Sequence, residues 1–512
     1  MNRSSGVLLP IFSLPGPYGI GSIGIGTGKF AEKLVAAGFR YWQVLPCGHT
    51  GAGNSPYQSF SAFAGNPYLI DLDQLADKEL LTKKELDTAR YSGSRNRIDY
   101  GWLWQTRSDL LHLAFSRLDE TIGLELAEFI NQQQHWLIPY ANFLTLKQHH
   151  NFRPWWEWSE PLKMAENDAV NNFISEHQDT YNYYCFLQFV FYRQWQKSKA
   201  KINQVGIKII GDLPFYPAID SVEVWSRPDL FELDESKAVI RVSGVPPDYF
   251  STTGQLWNNP VYDWDKMAQD NYRYWHELLS ANLYLYDVVR LDHFRGFESY
   301  WAVPAGAETA AEGRWEKGPG LKLFAPLLHA FPAACFLAED LGEITSDVRN
   351  LLTTTGLPGM KVLQFAFDPD SVSRDRPHNY PQRIAAFTGT HDNNTLMGWL
   401  HGLKEREWEL VRDYFGLREG SSPKIARENL RTILRTLWQS QAGLVICPVQ
   451  DLLGLGSEYR INTPGCTDNN WMVRMTDAQL DRIDTDWFKR LNEITQRTGY
   501  IECEIAKHEG GR

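Results

Sequence analysis

The chain has 512 residues, 43% of them hydrophobic and 22% charged, and its formal net charge is −11. A chain of this length can bury a large core, and no apolar run reaches the roughly 18 residues that a membrane-spanning helix needs, which argues against a membrane partner. Nucleic-acid-binding proteins usually carry a basic surface, so the acidic balance also argues against nucleic acid and favours a neutral substrate.

The predicted elements, taken in chain order, indicate an α/β fold. Short apolar and β-branched runs end in polar or glycine clusters and alternate with amphipathic segments. The predicted strands span residues 7–9, 41–45, 207–212, 286–292, 335–339, 361–365, 385–388 and 444–448. The clearest predicted helices span residues 28–37, 264–280, 346–355 and 423–441. Eight strands followed by helices predict a closed (β/α)8 TIM barrel, with residues 1–512 forming a single catalytic unit.

Two insertions are predicted within this barrel. Residues 72–203, between the second and third predicted strands, are rich in helix formers and tryptophan, and we expect a helical subdomain over the barrel mouth. Residues 221–264 contain G-V-P-P-D-Y-F-S-T-T-G-Q at 244–255, whose glycines and prolines indicate an ordered loop or lid. Only a short segment follows the last predicted strand. We therefore expect large, mainly helical insertions at the C-terminal face and no separate C-terminal β-domain.

Composition gives weaker indications of location and ligands. The N-terminal residues lack the apolar stretch and cleavage site of a secretory signal, so a cytoplasmic protein is expected. The six cysteines form no C-x-x-C pair and no Asp-rich loop is present, so neither a metal site nor a cofactor is predicted. The chain contains 19 Trp, and several stand in polar surroundings such as W-W-E-W at 155–158. Aromatic faces beside polar groups are suited to sugars.

Three of the predicted strands end in a carboxylate. Asp292 ends the fourth strand, Glu339 ends the fifth, and Asp392 follows the seventh. Because the C-terminal ends of barrel strands converge on one mouth, these side chains are expected to lie close together. Cleavage of a glycosidic bond requires a carboxylate that attacks and an acid that protonates the leaving oxygen. A single strand-end Asp can instead cap a helix, but this explanation is weaker for three such residues together.

The segments around these carboxylates resemble a known family. R-L-D-H-F-R-G (290–296), L-A-E-D-L-G (337–342) and G-T-H-D-N (389–393) are similar to the catalytic motifs of the amylomaltases, the 4-α-glucanotransferases or disproportionating enzymes of the α-amylase clan. Further similar segments, in the family's order, are S-L-P-G-P-Y-G-I-G (13–21), G-N-S-P-Y-Q-S-F (53–60), G-D-L-P (211–214), residues 244–259, G-L-P-G-M-K (356–361) and Q-D-L-L-G-L-G (450–456). The resemblance spans nearly the whole chain and is weakest across 72–203. C-G-H at 47–49 departs from the apolar or small residues expected there, without affecting a catalytic role.

The resemblance implies a role for each carboxylate. Asp292 would be the nucleophile of a retaining transfer, Glu339 the general acid/base and Asp392 the transition-state stabiliser. Arg290 lies two residues before Asp292 and so on the same strand face, where its charge would keep the nucleophile ionised, although a purely structural ion pair is the alternative. Leu337 beside Glu339 suits a partly apolar environment, which would raise the pKa of the acid.

The resemblance also implies sugar-binding residues. Tyr57 would stack under the sugar at the cleavage point, and Trp257 would provide an aromatic platform near the acceptor, with core packing as its alternative. Hydroxyl groups would be bound by Ser55, Asp212, Asp340, His391 and Asn462. For Asp212, a role in holding Arg290 is equally compatible with the sequence.

The sequence therefore predicts a 4-α-glucanotransferase acting on maltooligosaccharides and other α-1,4-glucans, with glucose or a glucan as acceptor and cyclisation as a further outcome. The alternative enzyme is an α-amylase-like hydrolase, which would share the three carboxylates but let water attack the intermediate. The lid and the helical insertion favour transfer because they can exclude water. A non-catalytic glucan-binding or regulatory protein would be expected to lack one of the carboxylates. The oligomeric state is not indicated.

Overall fold

The computed structural model describes residues 2–51, 53–247, 251–370, 373, 375–420 and 423–501. The strands in this part of the chain are β1 (Ser4–Leu8), β2 (Tyr41–Gln43), β3 (Lys208–Leu213), β4 (Arg241–Val245), β5 (Gln255–Pro260), β6 (Val288–Leu291), β7 (Ser299–Pro304), β8 (Arg314–Lys317), β9 (Phe336–Ala338), β10 (Gly359–Val362), β11 (Ile384–Phe387) and β12 (Leu444–Pro448).

The helices are α1 (Ile25–Ala36), α2 (Leu72–Ala76), α3 (Lys83–Thr88), α4 (Tyr100–Phe115), α5 (Glu120–His149), α6 (Glu160–Lys163), α7 (Asn167–Glu176), α8 (Gln178–Gln204), α9 (Val222–Ser226), α10 (Trp264–Gln269), α11 (Arg273–Leu285), α12 (Leu321–Ala330), α13 (Ser346–Thr355), α14 (Leu396–Gly402), α15 (Glu405–Phe415), α16 (Pro423–Gln439), α17 (Val449–Leu453), α18 (Asp477–Leu480) and α19 (Thr485–Ile494). In the described residues, no helix has both the length and the apolar character required to cross a membrane.

Eight parallel strands form the predicted barrel, in the order β10-β11-β12-β1-β2-β3-β6-β9. The two ends of this sheet meet where the backbone N–H of Ala338 donates a hydrogen bond to the carbonyl of Pro358, at 2.8 Å. Strands β1, β6, β11 and β12 are buried along their whole length. Burial along the whole strand is typical of parallel strands covered on both faces. The predicted TIM barrel is confirmed.

Two of the predicted elements differ in detail from those observed. The strand predicted at 361–365 begins at Gly359 and ends at Val362, and a 3-10 turn follows it. A Cβ atom on Gly359 would lie 2.6 Å from a carboxylate oxygen of Asp340, so only glycine allows this close approach. The helix predicted at 264–280 is divided into α10 and α11 because Asn271 and Tyr272 adopt left-handed backbone angles, with φ of 56° and 57°.

Helices α2 to α8 lie between β2 and β3, where the helical insertion is predicted. The longest, α5 and α8, pack against each other, and α8 also contacts α1 and β3. The amide of Gln188 on α8 accepts a hydrogen bond from the backbone N–H of Gly65 at 2.7 Å and donates one to its carbonyl at 2.9 Å. Gln194 makes the same pair of bonds with Asp71. The insertion therefore holds the loop that follows β2.

A second sheet lies outside the barrel and was not predicted. Its strands are antiparallel in the order β5-β4-β7-β8, and they come from the segments on either side of β6. Val242, Val303 and Ala310 form its small apolar core. Sequences such as R-W-E-K and Q-L-W-N-N-P lack the strict alternation that identifies a strand, which explains why the sheet was missed. The predicted lid adjoins this sheet, but its residues 248–250 lie outside the described residues.

Candidate active site

The C-terminal ends of neighbouring strands bring the predicted site residues together. Asp212 on β3 is in register with Arg290 on β6, and Arg290 is in register with Leu337 on β9. Asp292 directly follows β6, and Glu339 directly follows β9. The backbone N–H of Asp292 donates a hydrogen bond to the carbonyl of Leu213 at 3.1 Å, which extends the ladder of β3 and β6 to Asp292. Parallel pairing therefore places these polar side chains at one mouth.

The buried guanidinium of Arg290 lies between three carboxylates. Its Nη1 donates to Asp212 Oδ1 at 2.6 Å and to Asp292 Oδ1 at 3.0 Å, while Nη2 lies 2.9 Å from Glu339 Oε2. The planar fork of an arginine can contact several carboxylates at fixed angles, which a lysine cannot do. Of the two roles considered for Asp212, this geometry matches the one in which its fully buried carboxylate holds Arg290.

The two carboxyl groups beside Arg290 have pKa values shifted in opposite directions. Burial raises the pKa of Asp292, but the Arg290 charge and a hydrogen bond from Glu339 lower it to below the usual value. Burial also raises the pKa of Glu339, and the Asp292 charge raises it further. The Arg290 charge offsets only part of this increase, so the pKa of Glu339 lies well above its usual range. Asp292 is therefore held as the carboxylate and Glu339 as the acid.

One oxygen of Glu339 is already occupied by two donors. Oε2 accepts a hydrogen bond from the backbone N–H of His293 at 2.8 Å and lies 2.9 Å from Arg290 Nη2. His293 has φ 45° and ψ 49°, a left-handed conformation that directs this N–H toward the acid. The proton of Glu339 therefore resides on Oε1. No role for His293 was predicted, since side-chain type does not indicate a left-handed backbone.

Asp392 lies in the loop after β11, and its carboxylate is 45% exposed, which makes it the most open of the three. Its Oδ1 accepts a hydrogen bond from the side-chain amide of Asn462 at 2.6 Å and lies 3.3 Å from His391 Nε2. Arg460, which sequence reasoning missed, donates to the Asp392 carbonyl at 2.6 Å and to the Asn462 carbonyl at 2.8 Å. Three predicted residues therefore meet here.

Tyr57 connects the Asp392 side of the site to the Arg290 side. Its hydroxyl donates to Asp212 Oδ2 at 2.8 Å, and its ring stacks on His391 with centroids 5.0 Å apart. The indole of Trp471 lies 5.8 Å from the Tyr57 ring and 5.9 Å from the His391 ring. Trp471 was also missed, because it stands in a segment after β12 with no motif that marks a site.

Ser55 and Asn462 line one cavity of roughly 300 Å³, together with Trp471. The Ser55 hydroxyl also accepts a hydrogen bond from the backbone N–H of Tyr57 at 3.3 Å, which orders the loop between them. The cavity opens beside Asp392 through the Asn462 amide. The positions of Ser55 and Asn462 are compatible with the sugar-binding roles predicted for them. Those roles stay predictions.

Two predicted binding residues lie outside the Arg290 cluster. The carboxylate of Asp340 accepts a hydrogen bond from the backbone N–H of Met360 at 2.6 Å, and burial raises its pKa to about 6. This contact joins β9 to β10 across the seam of the barrel. Trp257 on β5 packs edge-on against the His293 ring, with centroids 4.9 Å apart, and is only partly buried. It therefore borders the Glu339 side of the site.

The arrangement provides an ionised carboxylate, a protonated carboxyl group in contact with it, and a third, more exposed carboxylate beside amide and imidazole donors. Among the described residues, no group of three or more His, Cys, Asp or Glu side chains is arranged to hold a metal ion. A nucleophile paired with an acid is the arrangement that acetal cleavage requires.

Comparison with known proteins identifies the family. The sequence profile of the 4-alpha-glucanotransferases matches residues 9–480. The 4-alpha-glucanotransferase of Clostridium butyricum is 43% identical over 96% of this chain and 100% of its own length. The chain belongs to the 4-alpha-glucanotransferase family. The Thermus thermophilus member is 43% identical over 97% of this chain and 99% of its own.

The fold agrees with this family. The structure described as amylomaltase from Streptococcus agalactiae in complex with acarbose has a TM-score of 0.93 and 35% identity, over 97% of this chain and 100% of that one. The protein is therefore an enzyme of the 4-alpha-glucanotransferase family, built on the TIM barrel of the α-amylase clan, and it catalyses transglycosylation.

Proposed function

We propose that this enzyme transfers segments of α-1,4-glucan between maltooligosaccharides by a retaining double displacement at Asp292. The observation that carries the proposal is the pair of carboxyl groups beside Arg290, whose pKa values are shifted apart and which share a side-chain hydrogen bond. Inverting enzymes keep their carboxyl groups roughly 6.5–9.5 Å apart to admit water, whereas retaining enzymes hold them closer. Direct contact between the two groups supports retention.

In the first half-reaction, a carboxylate oxygen of Asp292 attacks the anomeric carbon of the donor. The proton on Glu339 Oε1 passes to the glycosidic oxygen, the glycosidic bond breaks, and the reducing-end fragment leaves as a neutral sugar. The product is a glucosyl ester of Asp292. Glu339 is left as a carboxylate, stabilised by the His293 N–H and by Arg290.

In the second half-reaction, the 4-hydroxyl of an acceptor glucose or glucan attacks the anomeric carbon. Glu339 takes the hydroxyl proton, the ester bond breaks, and Asp292 returns to its ionised form. Two inversions at one carbon retain the α-configuration. Cyclisation results when the acceptor hydroxyl is the far end of the same glucan chain.

Asp392 stabilises the positive charge that develops at the donor sugar in this proposal. It is the most exposed of the three carboxylates, and the Asn462 amide and His391 imidazole fix its orientation. Tyr57 and His391 present stacked rings at the cleavage point, and Ser55, Asn462 and Asp340 bind hydroxyl groups. Trp257 lies on the acceptor side. The cytoplasmic location expected from the sequence stays a prediction.

The test replaces each carboxyl group with its amide. Asp292→Asn is expected to reduce transfer at least ~10³-fold, because the amide cannot form the ester. Glu339→Gln is expected to fail with natural glucans but still accept a glucosyl donor whose leaving group needs no protonation. Mass spectrometry of that variant should find one glucosyl group on Asp292. Asp229→Asn, at an exposed carboxylate away from the site, is the control. A glucosyl group on any other residue would overturn the assignment.

A further inference from the structure

Arg295 is a buried arginine, two of whose nitrogens lack a hydrogen-bond partner in the described residues. It lies three residues after Asp292 and is 6% exposed, and its Nε and Nη1 atoms are buried with no hydrogen-bond partner among the described residues. Each of the other fully buried arginines in this part of the chain has at least one: Arg290 bonds carboxylates, and Arg107, Arg474 and Arg497 bond carbonyl groups. Arg107 and Arg474 also have nitrogens without a partner in the described part of the chain, so what distinguishes Arg295 is that an aromatic contact takes the place of its hydrogen bonds.

The guanidinium of Arg295 lies against an exposed indole. Its central carbon is 3.7 Å from the ring centroid of Trp315, which stands on the edge strand β8 and is 37% exposed. Trp301 on β7 pairs with Trp315 in the sheet and packs edge-on against it, with centroids 5.1 Å apart. The contacts with Arg295 and with Trp301 hold the Trp315 indole in place. An exposed, immobilised indole can stack on the C–H face of a sugar.

The electrostatic surroundings of Arg295 support a neutral ligand. Burial lowers the pKa of Arg295 below its usual value, while the charges of Glu343 and Glu298 act in the opposite direction. Glu298 is itself bonded to Lys317, and no carboxylate lies within ion-pair distance of Arg295 in the described residues. A neutral sugar stacked on Trp315 brings no second charge close to this buried guanidinium.

The position of Arg295 defines the side of the active site that it serves. The chain after Asp292 turns toward Glu339 through the 3-10 turn Phe294–Phe297. The backbone N–H of Phe294 donates a hydrogen bond to the Glu339 carbonyl at 3.1 Å. Asp392 and its partners lie on the other side of Arg290. Glu339 exchanges its proton with the leaving and attacking oxygens, so its side is the acceptor side. Three residues of chain span at most about 11 Å, which keeps Arg295 within reach of an oligosaccharide bound there.

We propose that Arg295 and Trp315 form an acceptor-side subsite that selects α-1,4-glucan acceptors longer than one glucose unit. The exposed Trp315 ring stacks on the C–H face of a sugar beyond the attacking one, and Arg295 holds that ring in place. The subsite determines acceptor length and takes no part in bond cleavage. It rests on the proposed function, because Glu339 as acid/base defines the acceptor side.

The test compares acceptors of increasing length with one fixed donor. Trp315→Ala is expected to raise the KM for maltotriose as acceptor about tenfold, equivalent to about 1.4 kcal/mol, and to change the KM for glucose less than about twofold. The kcat should stay unchanged with both acceptors. Trp315→Phe should recover part of the loss, and Arg295→Lys should show the same dependence on length. Trp156→Ala, at an indole that is 40% exposed on the helical insertion, is the matched control.

Thermal melting of each variant separates these effects from misfolding, and the Trp315→Phe and Arg295→Lys comparison stands even if the alanine variant unfolds. Equal changes for glucose and maltotriose, or no change for either, would overturn the subsite while leaving transfer through Asp292 intact. Failure of the Glu339→Gln enzyme to load Asp292 would instead overturn the proposed function.

Discussion

At the scale of single residues, identical functional groups acquire different chemistry from their neighbours. Asp292 shares Arg290 Nη1 with Asp212, and it receives a hydrogen bond from Glu339, so its pKa falls despite burial. Glu339 is buried beside the Asp292 charge, so its pKa rises. Environments that separate two carboxyl pKa values in this way allow one group to attack while the other donates a proton.

Trp257 is expected to govern whether sugar or water attacks the intermediate. Its ring packs against His293, whose backbone N–H contacts Glu339, so it borders the side of the site that the proposed function assigns to the acceptor. Trp257→Ala should reduce the ratio of transfer to hydrolysis about tenfold, a loss of about 1.4 kcal/mol. Cleavage of an activated donor should change less than about twofold. The ratio is measured from glucose and longer chains formed from maltotriose. Trp257→Phe is the control, and equal loss of both half-reactions would contradict an acceptor role.

Glu223 on α9 is expected to make stability depend on pH. Its Oε1 accepts from the Ser61 hydroxyl at 3.0 Å and the Ala62 N–H at 2.9 Å, whereas Oε2 has no hydrogen-bond partner in the described residues. Burial raises its pKa to about 7. The folded state therefore binds a proton on Glu223 more tightly than the unfolded chain does. The stability that this bound proton contributes is lost as the pH rises from about 4.3 to 7.

Glu223→Gln removes this titration. We compare the free energies of unfolding of the variant and the wild type at each pH. The difference should shift in favour of the variant by about 1–3 kcal/mol as the pH rises from 5 to 8. Urea denaturation at both pH values measures the difference. Asp229→Gln, at an exposed position, controls for the general effect of removing a charge. A difference between variant and wild type that does not change with pH would show that Glu223 is not the group responsible.

At the scale of elements, one buried carboxylate holds both ends of the loop that carries His391 and Asp392. Asp451 on α17 accepts from the Thr388 hydroxyl at 2.6 Å and from the backbone N–H of Leu396 at 2.6 Å. Thr388 begins the loop after β11, and Leu396 begins α14. Because the two donors bracket the loop, Asp451 positions the segment that carries His391 and Asp392.

Thr388→Val tests this positioning. The substitution keeps the volume but removes one donor from Asp451, so we expect a loss of about 1–2 kcal/mol in stability and a roughly tenfold lower kcat. The measurements are urea denaturation and steady-state transfer from maltotriose. Thr145→Val is the matched control, since Thr145 is equally buried and its hydroxyl bonds only within α5. A similar drop in kcat for the control would mean that general destabilisation, not loop position, causes the effect.

At the scale of the whole molecule, Arg497 ties the C-terminal segment to the end of the barrel opposite the active site. Its buried guanidinium donates to the carbonyl groups of Ser4, Trp438, Ser440 and Ala442 at distances from 2.8 to 3.1 Å. Ser4 begins β1, and Ala442 precedes β12, so one side chain joins the N-terminal ends of two neighbouring strands to the last residues of the fold.

Arg497→Met should lower the free energy of unfolding by about 3 kcal/mol or more, because buried carbonyls lose their donor. The kcat at 25 °C should change less than about twofold, since the site lies at the other end of the strands. Denaturant unfolding and transfer assays on one preparation measure both quantities. Arg490→Met is the control, because the Arg490 side chain is exposed and its guanidinium lies 3.7 Å from Glu493. A large fall in kcat without loss of stability would contradict a purely structural role.

The sequence by itself determined the barrel, the family and the positions of the three carboxylates. Strands buried on both faces are continuous apolar runs, and polar residues at their ends, such as Asp292 and Glu339, stand out against them. These features depend on residues adjacent in the chain, so local patterns are sufficient to identify them. The catalytic roles assigned to these carboxylates stay predictions.

Only the tertiary structure decided how the side chains are paired. Asp212 and Arg290 are 78 positions apart, and Tyr57 and Asp212 are 155 apart, yet they form one network. The left-handed backbone of His293, the contact of Asp340 with β10 and the second sheet were likewise invisible in the sequence. Each of these features depends on which strand ends the fold brings together. The opposite pKa shifts of Asp292 and Glu339 arise from those contacts and from burial.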